Sequence, residues 1–273
     1  MIENLIDQID NYARTISEDK NLPESTSIIK QHTANFSQTY KPQLQNDIGT
    51  IQSFVQQYET VKPDLNRRLI AWKTGDKSAP LVILDILNKL SATLKDVIQT
   101  NYKAFSNMSD YRNTILADEQ ILNANANQLN SQLATLKSLL NSKENERTTI
   151  IVRHNILITI LGPLGWASEE LVNLIVRQKT VEQDISDLTQ QSNSLSHQVF
   201  ETNHAVQIMQ QLSSVMNTLE NSLQNLVNSL TFTDKNMGQA IQSLQSASEA
   251  NIEIVVEAYL NTLAQQITLF SQS

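Results

Sequence analysis

The chain has 273 residues, a formal net charge of −8 and an isoelectric point near 5.0, so it is long enough for one or two domains. Its lysines and arginines are scattered, which excludes a basic stripe for phosphates, and no nucleic-acid partner is expected. The absence of cysteine excludes disulfides, thiolate metal sites and a cysteine nucleophile.

The first predicted element is a short amphipathic helix that ends before the sequence NLPEST. Glu3, Asp7 and Asp10 lie opposite its apolar face, so the helix either docks on the rest of the protein or lines an acidic lumen after a rearrangement. The N-terminus has no basic region followed by an apolar core, and no secretory signal peptide is expected. The apolar face consists of Ile2, Leu5, Ile6, Ile9, Ala13 and Ile16.

A second helix is predicted between about residues 28 and 58, with Pro42 as the position of a kink. The segment AWKTGDKSAP, residues 71–80, is predicted to be a loop. The residues that mark the second helix are Ile28, Ile29, His32, Phe36, Leu44, Ile48, Ile51, Val55 and Tyr58.

Two long helices are predicted on either side of the centre, because residues 81–161 and 166–237 contain neither glycine nor proline. Both segments carry a seam with alternating intervals of four and three residues, as coiled coils do. Since a tight tip joins them, the two helices must lie antiparallel. The first seam runs through Ile115, Glu119, Leu122, Ala126, Leu129, Leu133, Leu136 and Leu140. The second runs through Val181, Ile185, Leu188, Ser192, Leu195, Val199, Thr202, Val206 and Met209, slips near Leu212, and resumes at Met216, Leu219, Leu223, Leu226 and Leu230.

The last predicted helix begins near Thr233 and Asp234, which are good N-cap residues, and continues to Phe270. The chain is therefore predicted to be all-α: an elongated antiparallel bundle of about five helices, with a central hydrophobic hairpin at one end. We predict a body formed by residues 1–147 and 177–273, and a head formed by residues 148–176.

The head, TTIIVRHNILITILGPLGWASEELVNLIV, is the most apolar segment of the chain. Contiguous apolar surface marks a contact with a membrane or a partner, and the alternative is a buried hairpin that caps the bundle or a helix–turn–helix corner. The β-branched first arm favours a strand and the second arm a helix, so the hairpin is either a β-tongue or a short helical hairpin. Charged residues at 153, 169 and 170 interrupt every apolar run before it reaches the ~20 residues of a spanning helix.

Within the head, Trp166 suits the headgroup boundary of a bilayer, because its indole N–H can stay hydrated. Gly162 and Gly165 are the predicted hinge of the hairpin. The predicted membrane-contacting residues are Ile156, Leu157, Ile158, Ile160, Leu161, Pro163, Leu164, Trp166, Leu171, Val172, Leu174, Ile175 and Val176.

The spacing of the histidines does not predict a metal-binding site. His197, Glu201 and His204 contain one Glu-x-x-His pair, but a second pair and two further inward-facing glutamates are missing, so a solvated face is expected and no metal or cofactor. Protonation of His154 near the apolar arm could favour release of the hairpin at acid pH. No phosphate-binding loop, nucleophile elbow or zinc spacing occurs, and no enzymatic activity is expected.

The long heptad helices, the central hairpin NILITILGPLGW and the amphipathic N-terminal helix together resemble the α-helical pore-forming toxins related to cytolysin A. That group includes haemolysin BL, the non-haemolytic enterotoxin components and the binary xenorhabdolysin-type toxins. The resemblance implies a secreted, water-soluble bundle whose shielded hairpin is released at the lipid membrane of a target cell. It also implies a homo-oligomer, or a hetero-oligomer with a second toxin component. The alternative is a non-enzymatic coiled-coil scaffold whose apolar hairpin docks a partner protein.

Overall fold

The computed structural model describes residues 2–161, 169–246 and 252–272, and they are almost wholly helical. A 3-10 turn, Glu24–Thr26, precedes the second helix, and a π-helical segment, Phe36–Tyr40, joins the second helix to the third. The described ranges contain no strand, which confirms the all-α prediction. The α-helices in these ranges are α1 (Ile2–Ser17), α2 (Ser27–Asn35), α3 (Lys41–Lys73), α4 (Ala79–Leu161), α5 (Glu169–Gln245) and α6 (Ile252–Gln272).

The predicted kink lies where the backbone leaves α-helical geometry between α2 and α3. Pro42 has no N–H to donate within the helix, and the wider π turn ends at Tyr40, two residues before it. The π-helical segment brings Phe36 and Tyr40 against Tyr111 of α4, with ring centroids 5.8 and 4.4 Å apart. Tyr111 also donates a hydrogen bond to the carbonyl oxygen of His32 at 3.1 Å. The second predicted helix is thus divided in two, and the described residues form six α-helices where about five were predicted.

Helix α1 is docked through its apolar face, which is one of the two arrangements expected from its sequence. It packs on the π-helical segment and on α3. Burying this stripe offsets the entropy lost on fixing a short helix, which would be marginal alone. The buried apolar residues of α1 are Ile2, Ile6, Ile9, Ala13 and Ile16.

A lysine of α3 forms ion pairs with two carboxylates on the polar edge of α1. The ammonium of Lys41 lies 2.8 Å from the Asp10 carboxylate and 3.0 Å from the Asp7 carboxylate. Ser37 of the π-helical segment donates a further hydrogen bond to Asp10. Burial raises the pKa of Asp10, but the hydrogen bonds from Lys41 and Ser37 outweigh it, and the net pKa lies below the ordinary value of 3.8.

The chain divides into two compact units. Unit 1 comprises Met1–Glu18, Ile29–Ala117 and Met209–Ser273, and unit 2 comprises Asp19–Ile28 and Asp118–Ile208. Helices α4 and α5 contribute residues to both units. The predicted head falls inside unit 2, and its status as a separate domain stays a prediction.

In unit 1 the long helices are antiparallel and tightly packed. Arg112 of α4 contacts Glu220 of α5 at 3.2 Å, while Ser91, earlier in α4, donates to Asp234, later in α5, at 3.2 Å. Helix α6 packs on α3. The seam residues that are fully buried in unit 1 include Ile115, Met209, Leu212, Leu219, Leu223 and Leu230.

Unit 2 carries the same heptad seam with less complete burial. It consists of parts of two helices and the short segment Asp19–Ile28, so fewer neighbours cover its apolar side chains. The buried seam residues are Leu122, Ala126, Leu133, Val181, Ser192, Val199, Thr202 and Val206. The half-buried ones are Glu119, Leu129, Leu136, Leu140, Ile185, Leu188 and Leu195.

The predicted start of the last helix is wrong. Helix α5 continues through Thr233 and Asp234 to Gln245, and α6 begins at Ile252. Thr233 does not act as an N-cap, because its side chain is fully buried and its hydroxyl donates to the carbonyl oxygen of Ser229 one turn earlier. A threonine inside a helix can donate its hydroxyl hydrogen bond to a carbonyl oxygen of the same helix. Burial of Thr233 in the bundle therefore overrides its preference for a helix N-terminus.

We expect Asp10→Asn to lower the free energy of unfolding by about 1–2 kcal/mol at neutral pH, since Lys41 loses the more buried of its two carboxylates. A carboxyl whose folded pKa is depressed stabilises the protein above its unfolded pKa. The difference between wild type and variant should therefore shrink as the pH falls below 3.8 through the lower folded pKa. Urea unfolding at a series of pH values measures this.

The matched control for this measurement is Asp7→Asn, whose carboxylate contacts the same lysine but is 66% exposed. It should change the free energy of unfolding by less than about 0.5 kcal/mol. If the two substitutions change the free energy of unfolding equally, the prediction that Asp10 stabilises the protein more than Asp7 is wrong.

Candidate functional site

Both described arms of the head are helical in this structure. Helix α4 continues through the first arm to Leu161, and α5 begins at Glu169, early in the second arm. The strand that the β-branched residues favour in the first arm is therefore not formed. The helical alternative for the hairpin holds wherever the structure describes it.

Threonine hydroxyls explain part of this outcome. Thr148, Thr149 and Thr159 each donate to the carbonyl oxygen four residues earlier, at 2.9, 2.9 and 2.8 Å, so their polar groups are satisfied within the helix. The arm also extends a helix that already exists, so it avoids the cost of nucleation. A β preference of at most about 1 kcal/mol per residue cannot outweigh these terms once Ile150 is buried.

A small apolar cluster holds the two arms together. Ile150 of α4 is 4% exposed, and it belongs to one cluster with Leu174 and Val181 of α5. Leu157 and Ile185 pack against this cluster and are partly buried. We call these five residues the head seam. Leu174 was expected to contact the membrane, and in this structure it faces the opposite arm.

A second set of apolar side chains in the head faces outward. Four of them are about half exposed: Val152 (52%), Ile156 (53%), Val172 (48%) and Val176 (59%). Isolated exposed apolar residues are common, but several on adjoining turns of one hairpin indicate a contact surface. The outer face of the head, as we define it, consists of Ile151, Val152, Ile156, Val172, Ile175 and Val176.

The remaining predicted contact residues are described only in part. Ile158 is half-buried. Ile160, Leu161 and Leu171 lie within the helices, and only their backbone is described. The predicted tip, with Gly162, Pro163, Leu164, Gly165 and Trp166, lies outside the described residues, so the hinge and the Trp166 anchor stay predictions.

Ion pairs connect the two helices at the base of the head. Lys143 of α4 contacts Asp184 of α5 at 2.7 Å, and Arg177 of α5 contacts Glu146 of α4 at 2.7 Å. Lys143 also lies 3.6 Å from Glu146, which links the two pairs into one network. The hydrogen bond from Arg177 lowers the pKa of Glu146, and the hydrogen bond to Asp184 raises the pKa of Lys143.

Neither this ion-pair network nor the place of Ile151 and Val152 in the outer face was predicted from the sequence. The sequence does place Lys143 three residues before Glu146 in the first helix. It also places Arg177 seven residues before Asp184 in the second helix. Whether they meet depends on the rotation and register of both helices, which no local spacing fixes. Val152 and Ile156 are four residues apart, so helical periodicity could have grouped them.

The predicted Glu-x-x-His pair, Glu201 and His204, lies within α5. His197 Nε2 lies 3.7 Å from Glu201 within α5, and His204 is exposed. Across the described parts of the chain, no group of three or more His, Asp or Glu side chains could hold a metal ion. His154 is half-buried, and its Nε2 atom has no hydrogen-bond partner.

No helix in the described ranges combines the length and the apolarity that a bilayer crossing requires. The described first arm, residues 148–161, is about 21 Å long as a helix, against a hydrocarbon core of about 30 Å.

The sequence of this chain matches one family model. Residues 6–151, which are just over half of the chain and run from α1 into the first arm of the head, match the family described as Bacillus haemolytic enterotoxin (HBL). No curated protein sequence matches the chain.

Several solved structures share the fold at low sequence identity. The soluble AhlC of the tripartite α-pore-forming toxin AHL from Aeromonas hydrophila is 14% identical, with a TM-score of 0.77, over 98% of this chain and 95% of that one. The SmhB pore of the tripartite toxin Smh from Serratia marcescens is 12% identical, with a TM-score of 0.69, over 98% and 99%. The HblL1 toxin component of Bacillus cereus is 12% identical, with a TM-score of 0.60, over 98% and 91%.

The inner and outer apolar residues of the head should respond differently to truncation. We expect Ile150→Ala to destabilise the paired arms by about 2 kcal/mol, because it leaves a cavity in the head seam. Val152→Ala, two residues on and half exposed, should change local stability by less than about 0.5 kcal/mol. Hydrogen exchange of the backbone amides of residues 145–157 measures both, and equal effects would refute the division into two faces.

Proposed function

This chain belongs to the Bacillus haemolytic enterotoxin (HBL) family, and we propose that it is a subunit of a multi-component α-helical pore-forming toxin. In this proposal the subunit is secreted and remains in water until its head contacts the lipid membrane of a target cell. There it assembles as a homo-oligomer or with a second toxin component. The activity is permeabilisation of the membrane, without catalysis.

The observation that carries the proposal is the outer face of the head. Its side chains are exposed in the single chain, although they come from the most apolar segment of the sequence. Such a surface is costly in water, and it becomes favourable once lipid or protein covers it. AhlC and SmhB, which have similar folds, are each described as part of a tripartite α-pore-forming toxin, and this supports lipid as the partner. HblL1, described as a toxin component, shares the fold as well.

The outer face carries enough apolar surface for reversible membrane contact. Covering a half-exposed valine or isoleucine side chain contributes roughly 1 kcal/mol, so the six residues together contribute on the order of 5 kcal/mol. This amount suits a single subunit that samples the membrane reversibly, and firm attachment then comes from several subunits side by side. Assembly is therefore part of the proposed mechanism.

Release of the hairpin is the second half of the proposal. The outer face needs no release, since it is already exposed, but the head seam is shielded between the arms. A membrane that binds the open arrangement of the arms more tightly shifts the population toward it. Leu157 and Leu174, which are both predicted to contact the membrane, then leave the head seam for lipid.

We expect the double variant Ile156→Asp with Val176→Asp to bind phosphatidylcholine vesicles at least tenfold more weakly than wild type. Both side chains are more than half exposed, so the variant should fold, while a carboxylate at each site opposes transfer into lipid. Vesicle flotation measures binding, and release of a trapped dye measures permeabilisation. Because these vesicles have no net charge, electrostatic attraction does not mask the effect.

The control is Leu81→Asp in unit 1, where an exposed apolar residue (69%) outside the head receives one of the two carboxylates that the double variant carries. It should bind and permeabilise as wild type does. Unchanged flotation of the double variant, combined with loss of binding to a protein partner, would instead favour a coiled-coil scaffold that docks another protein through the head.

A further inference from the structure

Four charged side chains form one connected network at the base of the head. In order of contact they are Asp184, Lys143, Glu146 and Arg177, so the charges alternate and two come from each helix. Arg177 donates from both Nε and Nη2 to the same oxygen of Glu146, at 3.1 and 2.7 Å. We call this network the charge clasp.

The charge clasp lies beside the head seam. Ile150 follows Glu146 by one helical turn, and Val181 lies between Arg177 and Asp184 on the same stretch of α5. Anything that separates the two helices at the seam must also pull the paired charges of the clasp apart.

Resting on the proposed function, we propose that the charge clasp keeps the arms of the head closed and thereby sets how readily the head seam opens to lipid. Lys143, Glu146, Arg177 and Asp184 are positioning residues in this scheme. They touch neither lipid nor a partner, and they act by holding the two arms against each other.

The clasp can determine how readily the arms separate because the head seam is small. Among the head side chains that the structure describes, Ile150 and Leu174 are the buried apolar ones, with Val181 just beyond the head, and Leu174 is already 9% exposed. A few ion pairs that are each weak at a protein surface can therefore form a sizeable share of what keeps the arms together. The clasp is also only partly exposed, with side chains between 30% and 65% accessible, so salt screens it without abolishing it at moderate concentration.

The first test follows opening of the arms in water by hydrogen exchange of residues 148–157 and 172–181. Glu146→Gln and Arg177→Gln should each raise the exchange rate about two- to fivefold, the range for loss of a partly exposed ion pair. Arg177→Lys keeps the charge and should stay closer to wild type. Raising sodium chloride from about 0.05 to about 0.5 M should speed exchange in wild type and have less effect in Glu146→Gln.

The matched control is Glu182→Gln, which removes one carboxylate from α5 two residues before Asp184. Its carboxylate accepts a hydrogen bond from Gln178 Nε2 in the same helix, at 2.9 Å. This variant should exchange as wild type does. If Glu146→Gln and Glu182→Gln exchange at the same rate, the clasp does not hold the arms and the proposal fails.

The second test uses the absence of cysteine, which allows one engineered pair to be linked without side reactions. In the variant with Glu146→Cys and Arg177→Cys, a short reversible methanethiosulfonate linker ties the arms at the clasp. Dye release from phosphatidylcholine vesicles should fall at least tenfold when the linker is present and return when a reductant removes it. Release at the wild-type rate with the linker in place would overturn the proposal.

The two tests separate the clasp from the proposed function. If wild type fails to bind or permeabilise vesicles, the membrane function is wrong, and the exchange measurements in water still establish whether the clasp closes the arms. If wild type permeabilises vesicles and the linked variant does so equally, the function stands and opening at the clasp is wrong.

Discussion

The packing of α4 against α5 along their heptad seams is the interaction on which the rest of the structure depends. Most four- or three-residue steps bring one apolar side chain of each helix to the same line, and burying that line offsets the entropy of ordering two very long helices. In unit 1 other helices surround the line and exclude water, so seam residues such as Leu219 and Leu223 are fully buried. In unit 2 many seam positions stay half-buried, because two helices and the segment Asp19–Ile28 supply fewer neighbours.

This difference in burial has a consequence for dynamics. Regions with few buried apolar contacts open at a lower free energy than well-packed cores do. Unit 2 therefore relies more on polar contacts between its helices, such as Lys143 with Asp184 and Arg177 with Glu146. The small number of buried contacts would favour the proposed opening of the head, and it is also the reason for the proposed role of the charge clasp.

The outer face of the head arises from a change in apolar pattern along a continuous helix. Over most of α4 and α5 the apolar residues form a single stripe, so one line of contact buries them. In the head, Ile150, Ile151 and Val152 follow one another directly, and successive residues on a helix point about 100° apart. Burial of Ile150 in the seam therefore requires that Val152 face outward. A helix that is apolar on several sides needs a second environment, and this is the physical basis of the proposed membrane contact.

The amino-acid sequence alone determined the features that depend on local spacing: the all-α class, the two heptad seams from Ile115 to Leu140 and from Val181 to Leu230, and the apolar face of α1. Only the tertiary structure decided those that depend on what a segment packs against. The β-branched first arm became a helix because it continues α4 and buries Ile150 against α5. Thr233 stayed inside α5 because burial let its hydroxyl bond within the helix. The clasp joins residues 31 to 41 positions apart, and only the rotation and register of two packed helices bring such residues into contact.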